Sequence, residues 1–153
     1  MSGNTELTDH DKEVRRVIFD TLMRTGRSPL SHEVASTLGT PHEAARESIQ
    51  RLADAHMLYL QRGSGEVLMA GPFSAVPTAF QVESGGVAYW GNCIWDGMGI
   101  PAMLHQDAQI TTACGDCGER MQLDIGSGNL LPAEGIIHFA IPARRWWDNL
   151  VYT

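Results

Sequence analysis

The sequence predicts an α+β protein. A three-helix, winged-helix-like N-terminal domain (residues 1–70) precedes a small mixed or antiparallel β domain (residues 71–153), in which a short helix carries Cys93 and Asp96. Two observations lead to this prediction. Apolar residues recur at helical spacing up to about residue 54, and short apolar runs between glycine-rich turns follow. A hydrophobic content of 43% with 19% charged residues is typical of globular chains.

Two helices are predicted before residue 40. The first begins after Thr8, which together with Asp11 resembles an N-terminal cap, and it ends at Gly26. Its apolar positions, Val14, Ile18 and Leu22, follow the helical repeat. A short second helix is predicted over residues 32–38, with Ser31 as its cap.

The third helix and a hairpin complete the predicted N-terminal domain. Residues 40–43 (TPHE) match a capping box with proline at the first helical position, and the buried face is expected to hold Ala45, Ile49 and Leu52. The apolar runs 57–60 and 67–70 flank a glycine-rich tip and predict a β-hairpin. Three helices followed by a hairpin is the order of a winged helix.

The C-terminal half is predicted to begin with a linker or an extended crossing segment over residues 71–77. Strands are predicted at 108–113 and 121–125, on either side of a cysteine-containing turn, and residues 135–142 are strand-like. A helix that ends near Pro101 is predicted between the linker and the first of these strands.

Charge argues against a nucleic-acid partner. The formal net charge is −7, and the third helix has Arg46 and Arg51 against three acidic residues, Glu43, Glu47 and Asp54. Since phosphate binding depends mainly on Lys and Arg, a winged-helix transcriptional regulator is disfavoured, and we expect the N-terminal domain to be a packing scaffold.

No targeting or membrane signal is evident in the sequence. The chain has no apolar run of 18 or more residues, and its polar start does not resemble a signal peptide. We therefore expect a cytoplasmic protein that has no membrane partner.

The three cysteines do not form a disulfide framework, because their number is odd and the chain is long. The turn from Cys114 to Cys117 resembles one half of a zinc ribbon. A structural zinc ion needs four ligands, and only Cys93, His105 and His138 offer themselves as additions. The turn is therefore either a zinc site or a hairpin whose cysteines are structural or incidental. A redox motif is less favoured, because the turn lies between strands rather than at the start of a helix.

Cys93 and Asp96 form the third candidate site. If their segment is helical, residues three apart share a face. A thiol can serve as nucleophile or soft-metal ligand, while an adjacent carboxyl delivers a proton to a leaving group. On spacing alone, a buried structural cysteine remains the favoured interpretation.

A wider set of segments resembles the organomercurial (alkylmercury) lyase family. They are PFS at 72–74, YWGNCIWD at 89–96, IPAML at 100–104, a further cysteine at Cys114, and PARRWWD at 142–148. In that family a cysteine is followed three residues later by an aspartate and then by a Pro-Ala pair, as here. The resemblance covers about residues 10–153.

The resemblance implies specific roles for three residues. Cys93 would bind the organomercurial as a thiolate, and Asp96 would protonate the carbon as the carbon–mercury bond breaks. Asp148 stands where the family has a second mercury-binding thiol, so the implied metal ligands are Cys93, Asp96 and Asp148. Typical members also continue for several tens of residues further. No cofactor is implied, and low-molecular-weight thiols would accept the mercury.

The leading hypothesis from the sequence is therefore a lyase that converts R–Hg⁺ to R–H and Hg²⁺ by protonolysis. The alternative is a non-catalytic protein that binds copper, zinc or mercury on the same fold. The expected partners are an organomercurial small molecule or a soft metal ion, together with low-molecular-weight thiols.

Overall fold

The computed structural model describes residues 6–132, 134–139 and 141–148. Contacts between residues divide the chain after Val76 into two compact units, a few residues beyond the boundary expected from the sequence. No helix in the described part of the chain is long and apolar enough to cross a membrane.

The first unit begins with helices α1 (Asp9–Thr25), α2 (Ser31–Leu38) and α3 (His42–Asp54). The predicted cap of α1 is confirmed: Thr8 accepts a hydrogen bond from the Asp11 amide, and the Asp11 carboxylate accepts one from the Thr8 amide. The predicted end at Gly26 is confirmed as well, since this glycine adopts φ 69° and its amide bonds to Leu22.

The predicted cap of α2 is wrong. Ser31 is the first residue of the helix rather than its cap. Its hydroxyl donates to Glu66 at 2.7 Å and lies 2.8 Å from Nε2 of His42, while its amide donates to the same carboxylate. The serine therefore ties the start of α2 to Glu66, at the far end of the hairpin loop.

The capping box predicted at Thr40 is also wrong. Helix α3 begins at His42 with Pro41 as its cap, and the buried Thr40 hydroxyl has no hydrogen-bond partner. The amide of Thr40 donates to the Ala35 carbonyl at the end of α2, so this residue closes the preceding helix instead of opening the next. The expected buried face is confirmed: Ala45, Ile49 and Leu52 are all buried.

The hairpin of the first unit is confirmed as strands β1 (Tyr59–Leu60) and β2 (Val67–Ala70), which pair in antiparallel fashion. A third strand, β3 (Phe73–Ser74), pairs with β2. Of the two alternatives expected for 71–77, the extended one agrees with the structure, and the middle of the segment also pairs as a strand, which was not predicted. A run of small residues with two prolines concealed this short pairing segment.

The second unit contains strands β4 (Phe80–Ser84) and β5 (Val87–Gly91), helix α4 (Ile94–Leu104), and strands β6 (Ala108–Ala113), β7 (Arg120–Gly126) and β8 (Asn129–Leu130). A 3₁₀ helix (Ala143–Asp148) follows. The strands of this unit are arranged in the order β5-β4-β6-β7-β8, and each neighbouring pair is antiparallel. The strands predicted at 108–113 and 121–125 are confirmed as β6 and β7.

Two predictions for the second unit are wrong. The described residues between 135 and 142 form no strand. Helix α4 does not end near Pro101 but includes it and continues to Leu104. Ile100 and Pro101 are both buried, so packing holds this segment helical although proline provides no backbone N–H.

The register of the sheet places two chain segments at one edge. Strands β5 and β6 are both antiparallel to β4, so they run in the same direction and end at the same edge of the sheet. Gly91 pairs with Phe80, and Thr111 pairs with the adjacent Gln81. The residues that follow β5 and those that follow β6 therefore leave the sheet at similar heights, with only β4 between the two strands.

Candidate functional site

Cys93 occupies the turn between β5 and α4. It is the residue immediately before the helix, and its carbonyl accepts a hydrogen bond from the Gly97 amide at 2.9 Å. Cys93 is thus the cap of the predicted helix rather than a member of it. Asp96 lies in the first turn of α4, where backbone N–H groups point outward.

Two glycines allow the helix to start so close to the sheet. A Cβ at Gly91 would lie 2.7 Å from the Gly97 amide nitrogen and 3.1 Å from the Cys93 carbonyl oxygen. Gly97 faces the sheet, since a Cβ there would lie 3.5 Å from Ile110 and 3.8 Å from Val82. The first turn of α4 therefore rests against β4 and β6, and this contact fixes the backbone that carries Cys93 and Asp96.

The structure brings the Cys93 thiol and the Asp96 carboxyl together. The two groups lie close enough to shift each other's pKa, and both are half-buried. Asn92 holds the carboxyl from the other side, because its Nδ2 donates to Oδ2 of Asp96 at 3.0 Å. Three groups therefore lie within five consecutive positions of the chain: the amide of Asn92, the thiol of Cys93 and the carboxyl of Asp96.

Burial shifts the pKa of both groups upward. Burial raises the pKa of the Asp96 carboxyl above its ordinary value, although hydrogen bonds from Asn92 and from the Cys93 thiol act in the opposite direction. Burial also raises the pKa of the Cys93 thiol, and the negative charge of Asp96 adds to this effect. Both shifts favour the protonated forms, so the pair retains protons that an exposed pair would release.

Asp148 is not grouped with these residues. The described residues contain no cluster of three or more His, Cys, Asp or Glu side chains that could hold a metal ion. The side chain of Asp148 is 67% exposed and forms a 3.1 Å ion pair with Arg145 within the 3₁₀ helix. The structure thus brings together two of the three expected ligands.

Cys114 and Cys117 lie in the tight connection between β6 and β7. The Cys114 amide donates to the Glu119 carbonyl at 2.8 Å, and the Gly118 amide donates to the Cys114 carbonyl at 2.9 Å. Cys114 is half-buried, Cys117 is exposed, and neither is in a disulfide. Neither His105 nor His138 joins them in a larger ligand cluster within the described chain.

The sequence patterns did not indicate Asn92, Gly91 or Gly97 as parts of the site. The signal for Asn92 was its spacing of four from Asp96, which allows amide–carboxylate contact across one helical turn. The glycines could have been suspected from their positions on either side of Cys93, but their role depends on how close the helix lies to the sheet.

The chain shares its fold with a structure that has been solved. A structure described as the mercury-bound form of MerB2 matches with a TM-score of 0.66 and 20% sequence identity, over 83% of this chain. The present chain spans 61% of that protein's chain. No curated protein sequence matches this one.

The fold places the chain in the class of mixed helix and antiparallel-sheet proteins that this MerB2 structure also represents. The sequence model of the alkylmercury lyase (MerB) family matches residues 73–153, which is just over half of the chain. The protein belongs to the alkylmercury lyase family.

Proposed function

We propose that the protein cleaves carbon–mercury bonds by protonolysis, with Cys93 as the mercury ligand and Asp96 as the proton donor. The observation that carries this proposal is the placement of the Cys93 thiol and the Asp96 carboxyl side by side at the start of α4, close enough to shift each other's pKa. Mercury is a soft metal that prefers thiolate sulfur, and the departing carbon requires a proton from a nearby acid. This placement provides both groups at one point.

The proton can be followed through two steps. When R–Hg⁺ bonds to the Cys93 sulfur, the thiol proton leaves and the Asp96 carboxylate accepts it. Asp96 then returns this proton to the carbon attached to mercury. The carbon–mercury bond breaks, R–H departs, and Hg²⁺ remains on the Cys93 thiolate. Charge and hydrogen balance in each step.

The raised pKa of Asp96 supports its role as an acid. A carboxyl whose pKa is raised by burial holds its proton over a wider pH range than an exposed one. Asn92 acts as a positioning residue, because its amide orients the carboxyl without reaching a reacting atom.

Low-molecular-weight thiols would remove Hg²⁺ from Cys93. The family resemblance implies that Asp148 assists, and this role is tested by the Asp148→Cys variant. Because thiolate is a softer ligand than carboxylate, Asp148→Cys is expected to bind Hg²⁺ more tightly than the parent if the side chain reaches Cys93. Equal affinity, measured by competition with glutathione, would remove Asp148 from the site.

The three helices and the β1–β2 hairpin are proposed to act as a winged-helix-like scaffold and not as a DNA reader. Both arginines of α3 are already engaged: Arg51 is bonded to Asp11, and Arg46 contacts the Ser64 carbonyl. Phosphate binding would have to displace these contacts. Tight, salt-sensitive binding to duplex DNA would contradict this part of the proposal.

The direct test is hydrocarbon release. Purified protein is incubated with a phenylmercury salt and excess thiol, and benzene is measured by gas chromatography. The protein is expected to release benzene, Cys93→Ser is expected to release none above the thiol-only background, and the surface control Asp54→Asn is expected to match the parent. Stoichiometric binding of Hg²⁺ without benzene release would favour the non-catalytic metal-binding alternative.

A further inference from the structure

We propose that the Cys114–Cys117 pair is a second, two-thiolate site that takes Hg²⁺ from Cys93. This proposal rests on the proposed function, because that reaction leaves Hg²⁺ on Cys93. The pair would be an acceptor within the protein itself, placed ahead of the external thiols. We refer to residues 114–118 as the cysteine tip.

The cysteine tip holds its two thiols close together. Cys114 and Cys117 are separated by two residues, and two hydrogen bonds at Cys114, from its amide to the Glu119 carbonyl and from the Gly118 amide to its carbonyl, close the turn that carries both side chains. Gly118 adopts φ 73°, a conformation that glycine accommodates easily and that completes the tight turn. Cys117 is exposed, so an incoming ion can reach the pair from solvent.

The ligand set fits a soft ion of low coordination number. Structural zinc requires four ligands, and among the described residues no three His, Cys, Asp or Glu side chains, Asp116 of the tip included, are grouped so that they could hold a metal ion. Soft ions select thiolate sulfur, and two thiolates are enough for Hg²⁺. Cu⁺ shares this chemistry, so the test must include it.

The tip offers Hg²⁺ more sulfur ligands than Cys93 does. Cys114 and Cys117 are two free thiols in one short turn, whereas Cys93 supplies a single sulfur. Two linked thiolates hold a soft ion more tightly than one, so exchange from Cys93 toward the tip is favoured.

The topology brings the two thiol sites to one edge of the sheet. Cys93 follows the end of β5 and Cys114 follows the end of β6, and these strands run in the same direction on either side of β4. Two strand spacings, about 10 Å, separate β5 from β6. The first turn of α4 leans toward β6, since Gly97 lies against Ile110. The two thiol sites therefore follow strands that end on the same side of the sheet, with only β4 between them.

The exchange is balanced as a ligand substitution. The Hg²⁺–Cys93 thiolate reacts with two neutral thiols, Cys114 and Cys117. Two sulfur–mercury bonds form at the tip, and the sulfur–mercury bond at Cys93 breaks. One thiol proton returns to the Cys93 sulfur and the other leaves to solvent. No oxidant or reductant takes part.

The first test measures the tip without the lyase site. Cys93→Ser is titrated anaerobically with HgCl₂, and remaining thiols are counted with a disulfide reagent. One Hg²⁺ per chain is expected to remove both thiols. With glutathione as competitor, Cys93→Ser/Cys117→Ser is expected to hold Hg²⁺ about 100-fold or more weakly, because two linked ligands outperform one. Two Hg²⁺ per chain, equal affinities, or mercury-bridged dimers would overturn the proposal.

The second test locates the mercury after turnover. One equivalent of phenylmercury is added without external thiol. When benzene release is complete, free cysteines are alkylated and identified by mass spectrometry. Protection of Cys114 and Cys117 with alkylation of Cys93 is expected, and Cys114→Ser/Cys117→Ser should reverse the protection to Cys93. Mercury retained on Cys93 in the parent would overturn the transfer.

The two tests separate the two proposals. If benzene is not released, the proposed lyase function fails while the Cys93→Ser titration still decides the tip. Titration of the same variant with Cu⁺ in the presence of a Cu⁺ chelator shows whether the tip prefers Cu⁺ or Hg²⁺. Tighter binding of Cu⁺ than of Hg²⁺, each measured against glutathione, would overturn mercury as the ion that the tip serves.

Discussion

Asn92 orients the acid of the site through its side-chain amide, which donates a hydrogen bond of 3.0 Å from Nδ2 to Oδ2 of Asp96. This bond lowers the pKa of Asp96 against the larger upward effect of burial. Removing it should therefore raise the pKa of the carboxyl further. The consequence can be measured because protonated Asp96 is required when the carbon–mercury bond breaks.

We expect Asn92→Ala to move the alkaline limb of the rate of benzene release to higher pH, and to slow release by misaligning the carboxyl. Phenylmercury binding to Cys93 should be unaffected. The measurement is a pH series of single-turnover rates, with Asn129→Ala as the exposed control. A limb that stays in place or moves to lower pH would exclude this positioning role.

For individual residues, the sequence indicated which side chains carry the chemistry better than it indicated their hydrogen-bond partners. Cys93 and Asp96 could be chosen from their spacing and from the surrounding family motifs. The hydrogen bonds at Ser31 and Thr40 could not be predicted, because the partners are decided by which helix each residue finally joins. Thr40 matched a capping box but closes α2 instead.

The start of α4 depends on glycine at the end of β5. Gly91→Ala would add a Cβ 2.7 Å from a backbone nitrogen of α4, which can be relieved only by moving the helix. We expect a loss of about 1–3 kcal/mol in the free energy of unfolding, as for other overpacked sites, and a displaced Cys93–Asp96 pair with slower benzene release.

The matched control is Gly115→Ala, where an added Cβ meets nothing within 4 Å and φ is not positive. Chemical denaturation followed by circular dichroism compares the two variants. Equal stability of Gly91→Ala and Gly115→Ala would show that the close approach of α4 to β5 does not constrain the site.

Among the helices and strands, the apolar periodicity of the sequence predicted those whose apolar residues recur at regular spacing. Helix α1 and strands β6 and β7 could be predicted because their apolar spacing is uninterrupted. Strands β4 and β5 could not, since their edges are rich in glycine and their pairing joins residues such as Phe80 and Gly91 across a turn. Helix α4 contains a proline and two glycines, so only tertiary packing explains its length.

Acid stability of the first unit depends on one long-range ion pair. Asp11 is fully buried and bonds to Arg51 at 2.9 Å. Burial alone would raise the pKa of Asp11, but hydrogen bonds from Arg51, Ser48 and Thr8 outweigh it and hold the pKa well below the usual range. The stabilisation is complete above the unfolded pKa of about 4 and is lost as pH falls below it.

We expect Arg51→Met to lower the free energy of unfolding by about 3 kcal/mol at neutral pH, since it leaves a buried carboxylate without its cation. The free energies of unfolding of the variant and the parent should become more similar below about pH 4, where protonation of Asp11 removes that unpaired charge. Urea denaturation at several pH values measures this, with Arg16→Met, which breaks only an exposed pair with Asp20, as the control. A difference independent of pH would contradict the assignment to Asp11.

For the whole molecule, the α+β organisation and the antiparallel sheet could be predicted, and the family could be identified from motifs spread over the chain. The arrangement of strands at the functional edge could not, because it depends on β5 and β6 both pairing with β4. Long-range pairing of this kind is not contained in local periodicity.

Proton delivery by Asp96 is tested most directly by a single-turnover experiment. Benzene release is measured from protein loaded with one phenylmercury per chain, and the parent is compared with Asp96→Asn. If Asp96 delivers the proton, the variant should retain phenylmercury on Cys93 and release benzene at least about 100-fold more slowly. Release of benzene from Asp96→Asn at the parental rate would show that Asp96 is not the proton donor.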